Sequence, residues 1–474
     1  VIQPIGLVFL TLGLFSLYRR PEFAVGLMLI ATAFGTASMV NAGGSSILVV
    51  YAAVIILTFR IALWAGVMAL LRPLMRTGAG VTLLMLFVFA VLSGYFMPRL
   101  FSGVTNTVSI TEASNGLKVI QFLPLVPSGT NITQTIYLTL GVTAFCSMVA
   151  FLRRTQNFDF VIKVFCIVAA VQILASLLDL LTFYSSSAAL LGPVRNANYA
   201  YLCALEKGGL KRMCGFMSEA SAYASYTLVI FAVLINLWID RVRPAITGPL
   251  AAGLFVGLVI STSGSGYVGL AMLLGLLVTG RCLHFFGSLP FRRFAELALA
   301  LFFAGCIVIF ALALLPSLGE TLSAFLEETV FGKLDSASGR ERTLWNQTAI
   351  QNFFDTNMMG AGLGSTRGSS IAVVLLSQVG IPGTILFVLH ISLLMLSRLE
   401  PALTHNARAL VTAVRWAIVA HLIVAILAKG DFVFPMLFYA LCGIVVAGLR
   451  PFGARAQARS AAADRRRNQA AQAI

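Results

Sequence analysis

Apolar runs long enough to cross a bilayer recur from one end of this 474-residue chain to the other, and nothing else constrains its fold as much. A hydrocarbon core about 30 Å thick is crossed by about 20 helical residues. Candidate spans lie at 1–18, 23–40, 45–70, 80–97, 133–152, 160–183, 218–239, 246–263, 267–280, 294–315, 371–397, 412–428 and 433–449. The stretch 246–280 exceeds one helix, and Ser263-Gly264-Ser265-Gly266 divides it. The opening run lacks the basic start and small-residue cleavage site of a signal peptide and reads as a span. With 59% apolar and 11% charged residues, against about 25% charged in soluble domains, a soluble enzyme and a disordered chain are both excluded. The expected fold is an all-α polytopic membrane protein of about thirteen helices. Residues 1–449 form its transmembrane domain and 450–474 a basic tail.

The formal charge is +16, from 33 Lys and Arg against 17 Asp and Glu. Nucleic acid is not the expected partner, because the basic residues sit in short turns between apolar runs. Arg19/Arg20, Arg72/Arg76, Arg153/Arg154, Arg241/Arg243, Arg281/Arg292/Arg293, Arg398/Arg408 and the tail occupy alternate connections. Placing these in the cytoplasm leaves 98–132, 184–217 and 316–370 on the outer face. Segments of that length are usually functional or disordered. Their aromatic and aliphatic content argues for order, so the chemistry is expected at the outer face, chiefly in 316–370.

Three segments carry it. In Ala337–Phe354, Arg342, Trp345, Ala349 and Phe353 share one helical face, while Arg340 points away and stays solvated. A cation on an apolar face needs an anion, so Arg342 reaches either a phosphate or one of Glu327, Glu328 and Asp355. In Gly360-Ala-Gly-Leu-Gly-Ser-Thr-Arg367-Gly-Ser-Ser370, glycine amides offer an anion cradle and Arg367 a planar double donor. A plain turn is the alternative. It is not a nucleotide loop, lacking the Gly-Lys-Ser/Thr ending and a preceding strand. In Lys211-Arg212-Met-Cys-Gly-Phe-Met-Ser-Glu219-Ala-Ser-Ala-Tyr-Ala-Ser225, Glu219 stands at the mouth of a span. It is either a carboxylate favoured by the helix dipole or a partly desolvated base.

Arg195 is a lesser candidate, and Lys429 and Asp431 are expected to satisfy each other. Arg60 and Lys163 snorkel, and His421 reads as a satisfied interior histidine. His284, His390 and His405 lie in or near cytoplasmic regions, and the outer segments hold no histidine. No Cys-x-x-Cys or Cys/His cluster suggests a metal. Most cysteines lie in or beside apolar runs, whereas Cys203 and Cys214 share one polar loop and can pair in an oxidising compartment.

Taken in order, several stretches resemble the bacterial O-antigen polymerase and O-antigen ligase superfamily, particularly its exopolysaccharide polymerase branch. They are Gly215-Phe-Met-Ser-Glu-Ala-Ser-Ala-Tyr223, Ser261-Thr-Ser-Gly-Ser-Gly-Tyr-Val-Gly269, Glu341-Arg-Thr-Leu-Trp-Asn346, the 360–370 turn and Val379-Gly-Ile-Pro-Gly383. The resemblance implies an inner-membrane glycosyltransferase of GT-C-like architecture with a periplasmic active site. It would polymerise undecaprenyl-pyrophosphate-linked oligosaccharide units without cofactor or metal. Membrane lipid and proteins of chain-length control and export are the further partners implied. The resemblance gives Glu219, Arg342 and Arg367 catalytic roles. The expected substrate contacts are Arg195, Arg212, Arg340, Trp345, Gly362 and Gly364. Family ligases place a His after the glycine turn; here Ser365–Ser370 has none, which favours polymerase. A glycolipid flippase or secondary transporter is the alternative of another class, with Arg60, Lys163 and His421 marking its pathway.

Overall fold

The computed structural model describes residues 2–42, 45–112, 118–198, 201–203, 206–207, 210–284, 296 and 337–450. The described chain is mostly helical and is a polytopic membrane protein. Its helices are α1 Pro4–Tyr18, α2 Pro21–Ala31, α3 Val49–Ala65, α4 Val67–Arg76, α5 Gly78–Leu100, α6 Gly129–Thr155 and α7 Phe158–Tyr184. Then follow α8 Ala220–Ile239, α9 Pro244–Val259, α10 Gly264–Cys282, α11 Ala337–Asp355, α12 Ile371–Leu396, α13 His405–Ala428 and α14 Met436–Ala447. Among the described residues seven helices (α5–α8, α10, α12 and α13) are long and apolar enough to cross a membrane, and α3–α4 passes the same test only if the bent pair is counted as one span.

Four expected spans are shorter than a bilayer: α1, α2, α9 and α14 have 15, 11, 16 and 12 residues, or roughly 16–24 Å at 1.5 Å per residue. For α14 the reason is burial, since all of its residues are enclosed; a helix apolar on every side belongs in a core. Gly141 of α6 lies under the Tyr439 ring, and Gly443 backs onto Phe145, which lets these two helices approach closely. The expected span 23–40 is corrected at α2, which stops at Ala31. Thr32 Oγ1 turns back to Leu29 O (2.6 Å), and Thr36 Oγ1 donates to Val194 O and Phe216 O. The chain then enters strand β1, Ser38–Ala42, paired with β2, Ser45–Leu48. The span 45–70 breaks at Gly66 (φ 83°), where α4 bends 99° from α3. The division of 246–280 is confirmed: α9 ends at Val259 and α10 starts at Gly264, with Ser263 Oγ capping Gly266 N. The span 294–315 apart from residue 296, residues 316–336 of the largest loop and 451–474 of the tail lie outside the described residues.

The expectation of an all-helical chain is also corrected. Three antiparallel hairpins lie between the helices: β1–β2, β3–β4 (Asn106–Glu112 with Lys118–Pro124) and β5–β6 (Glu206–Lys207 with Leu210–Lys211). All three sit at the end of the bundle that holds 184–219 and 356–370. Hydrogen bonds tie these segments together, from Ser38 N to Asn196 Oδ1 and from Asn131 Nδ2 to Leu363 O.

At the opposite end several basic residues donate to the protein itself. Arg60 donates to Arg19 O, Arg153 to Val446 O, and Arg415 to Leu394 O and Ser397 O. Arg281, fully buried, pairs with Asp240 and donates to Asn236 Oδ1.

Candidate functional site

The site is built on a break in α12. Pro382 has no N–H, so the carbonyl of Gln378 loses its helical donor, and Gly380 turns to φ 60°. The 360–364 turn docks there. Gly362 N donates to Gln378 O (2.9 Å), Ala361 N to Ser377 O (2.8 Å), and Ile381 N reaches out to Met358 O (3.0 Å). The Gln378 side chain closes the turn, accepting from Gly364 N and donating to Thr366 O. Two motifs separate in the sequence are therefore one structure.

The docking corrects the expected part played by Gly362 and Gly364. Their amides are committed to Gln378, so they do not form an anion cradle. At φ 100° and 79° they hold backbone that L side chains rarely adopt. A Cβ on Gly362 would lie 2.7 Å from Ser93 O and Pro98 Cδ. These glycines press the turn onto α5 and α6, which leaves Arg367 exposed at its far end.

α11 lies across the same end. Asn352 Nδ2 donates to Thr105 Oγ1 and Asn106 O, and Thr105 Oγ1 donates to Asp355 Oδ2 at 2.6 Å. Ala349 and Phe353 are buried, Arg342 and Trp345 half-buried and Arg340 exposed, as the helical period predicts. Asn346 Oδ1 accepts from Ser369 N (2.8 Å), and Ser369 Oγ donates to Arg342 O, fastening α11 to the turn. The Arg367 guanidinium stands 5.7 Å from the Trp345 ring, whose Nε1 is buried without a hydrogen-bond partner among the described residues. Asp355 is held by Thr105 and Gln351, not by Arg342. Glu327 and Glu328 lie outside the described residues. Neither Arg342 nor Arg367 forms an ion pair among the described residues.

Glu219 is the residue before α8, and its carboxylate makes no capping bond to the helix. It accepts from Ser221 Oγ and faces a cavity of about 340 Å³ lined by Ser225, Tyr226, His421 and Lys429 and by apolar residues of α3, α8, α13 and α14. Lys429 Nζ donates to Val433 O (2.8 Å) and stands 5.2 Å over Phe434. Burial pushes this ammonium below its ordinary value, and Asp431 opposes the shift. Beside it, Gly368 N donates to Gly430 O, so the cavity rim touches the turn that carries Arg367. His421, read from sequence as satisfied, has Nδ1 without a partner among the described residues and lines the cavity.

A second cationic cluster occupies the same end and is closed. Asp179, near the end of α7 and 1% exposed, accepts from Arg195, Cys214 N (2.8 Å) and Gly215 N (3.1 Å). Lys211 Nζ lies 2.5 Å from the same carboxylate. Arg195 also donates to Gly215 O. The expected substrate role of Arg195 is thus corrected: its guanidinium holds the loop that leads to Glu219. Sequence reasoning missed Asp179, although a lone carboxylate in an apolar run, Leu177-Leu-Asp-Leu-Leu181, is itself a signal. Arg212 Nε is buried and unpartnered among the described residues. Cys203 and Cys214 are free thiols. The hydrogen bond between them holds Cys203 below the usual thiol range and raises Cys214.

No protein-family model matches the chain, nor does any curated protein or solved structure.

Proposed function

We propose that this protein is an inner-membrane glycosyltransferase that joins lipid-pyrophosphate-linked oligosaccharide repeat units at the periplasmic face, within a polytopic, GT-C-like framework. The reading rests on one observation above the others. Two arginines without ion pairs among the described residues, Arg342 and Arg367, stand on a turn-and-helix unit whose edge touches the cavity faced by Glu219. Cations without a counter-charge among the described residues suit a pyrophosphate, and the apolar cavity wall suits what is attached to it.

The chemistry is a glycosyl transfer. The acceptor hydroxyl oxygen forms the new bond to the donor's anomeric carbon, the bond from that carbon to the pyrophosphate oxygen breaks, and the electron pair leaves with the prenyl pyrophosphate. Arg342 and Arg367 hold that group as its negative charge grows, which lowers the barrier. Glu219 takes the hydroxyl proton. The Trp345 ring lies within cation–π range of the Arg367 guanidinium. The histidine-free Ser365–Ser370 stretch favours polymer growth over transfer to lipid A–core.

One observation favours a flippase or transporter: His421 faces a cavity inside the spans with an unpartnered nitrogen. Purified protein given a lipid-linked oligosaccharide separates the two. Chain growth without a membrane gradient supports the transferase, and transbilayer movement without growth supports the flippase.

A further inference from the structure

α4 has three distinct faces. Leu70, Pro73 and Leu74 are buried where the helix packs on α5 and α6. Val67, Met68, Leu71 and Met75, each at least 43% exposed, fall within roughly 100° of arc at 100° per residue. Arg72 and Arg76, both exposed, follow directly beyond them and form no ion pair among the described residues. The 99° bend at Gly66 turns this helix across the direction of α3. It does so at the basic end, where Trp64 lies 4.7 Å under the Arg154 guanidinium and Arg19 and Arg20 are exposed. One side on protein, one apolar and one cationic is the arrangement of a helix lying in the plane of a membrane surface.

We propose that α4 is an interfacial helix that binds anionic phospholipid headgroups through Arg72 and Arg76, with Val67, Met68, Leu71 and Met75 sunk among the acyl chains. The occupant is set by charge and by depth. Arginine matches a phosphodiester with paired donors, and exposed aliphatic residues beside it match hydrocarbon rather than water. Arg19, Arg20 and Arg154 extend the same positive field, and aromatic Trp64 sits at the level expected of a headgroup boundary. This surface is at the opposite end of the bundle from Glu219 and is independent of the proposed transferase activity.

The test uses the full chain in nanodiscs of phosphatidylcholine with a minor fraction of phosphatidylglycerol. The co-purifying lipid is counted by native mass spectrometry. Wild type should retain phosphatidylglycerol in preference to phosphatidylcholine. Each arginine near an anionic surface contributes about a fivefold preference, so Arg72→Gln with Arg76→Gln should weaken retention roughly thirtyfold. Arg72→Lys with Arg76→Lys should keep most of it. Tryptophan introduced by Leu71→Trp should be quenched by brominated acyl chains beyond the quenching of the parent protein. Equal retention in wild type and the Gln double variant, or absence of any preference in wild type, would overturn the proposal. So would an unquenched Leu71→Trp, the outcome expected if a protein covered this face instead.

Discussion

Two cationic clusters share one end of this molecule, and they differ in what their charges have found. Around Asp179, Arg195 and Lys211 meet a buried carboxylate that also gathers two backbone amides. Around the 360–370 turn, Arg342 and Arg367 meet no carboxylate among the described residues, and Trp345 has an unpartnered Nε1. The first cluster has its anion within the protein, the Asp179 carboxylate. The second is oriented by Ser369, Asn346 and Gln378 but has no anion among the described residues. A cluster built around its own carboxylate holds a loop in place; on the proposed function, one without a carboxylate among the described residues is open to a ligand.

The comparison is broken most forcefully at Asp179. Asp179→Ala leaves two cations buried without a counter-charge, at a cost of about 3–5 kcal/mol. We expect loss of folded protein, read as a collapsed size-exclusion peak or a large fall in Tm. A variant as stable as wild type would mean that the closed cluster is not structural.

Substitutions on the other side should spare the fold and remove activity. Glu219→Gln should retain the lipid-linked donor and cut single-turnover rate by ~10²–10⁴-fold. An unchanged rate would take the proton transfer away from Glu219. Arg342→Ala and Arg367→Ala should each cut polymer formation by ~10²–10³-fold, with the elution profile and Tm of wild type. Wild-type polymer levels in either would end the assignment.

A smaller, purely structural effect is expected at Gly362. Gly362→Ala forces a side chain into left-handed backbone against Ser93 O, costing about 1–3 kcal/mol and lowering Tm. The least effect is expected at Arg340, exposed on the far side of α11. Arg340→Ala should shift stability by no more than about 0.5 kcal/mol and leave polymer yield near wild type. A loss comparable to Arg342→Ala would extend the open cluster to this residue.

Local patterns made much of this visible in the sequence. The 3.6-residue period placed Arg342, Trp345, Ala349 and Phe353 on one face of α11 and turned Arg340 outward, and apolar runs located the long helices. What depended on distant partners was hidden. α2 ends early because Thr36 is claimed by carbonyls of Val194 and Phe216, far along the chain. The glycines of the turn look like an anion cradle until Gln378 is seen to take Gly362 N on the carbonyl that Pro382 leaves free and Gly364 N on its side chain. Arg195 and Arg367 are both arginines in polar segments, and only Asp179, reached through the fold, separates them. The β3–β4 hairpin has a sequence signal: Asn106-Thr-Val-Ser-Ile-Thr-Glu112 alternates, and Asn115-Gly116 precedes the apolar-rich run Lys118–Pro124.

The open arginines should hold a pyrophosphate that the Asp179 cluster does not. Native mass spectrometry of the purified full chain with a polyprenyl pyrophosphate measures this directly. Wild type and Arg340→Ala should bind it alike, whereas the Arg342→Ala/Arg367→Ala double variant, intact by elution and Tm, should lose it. Binding undiminished in that double variant would contradict the account.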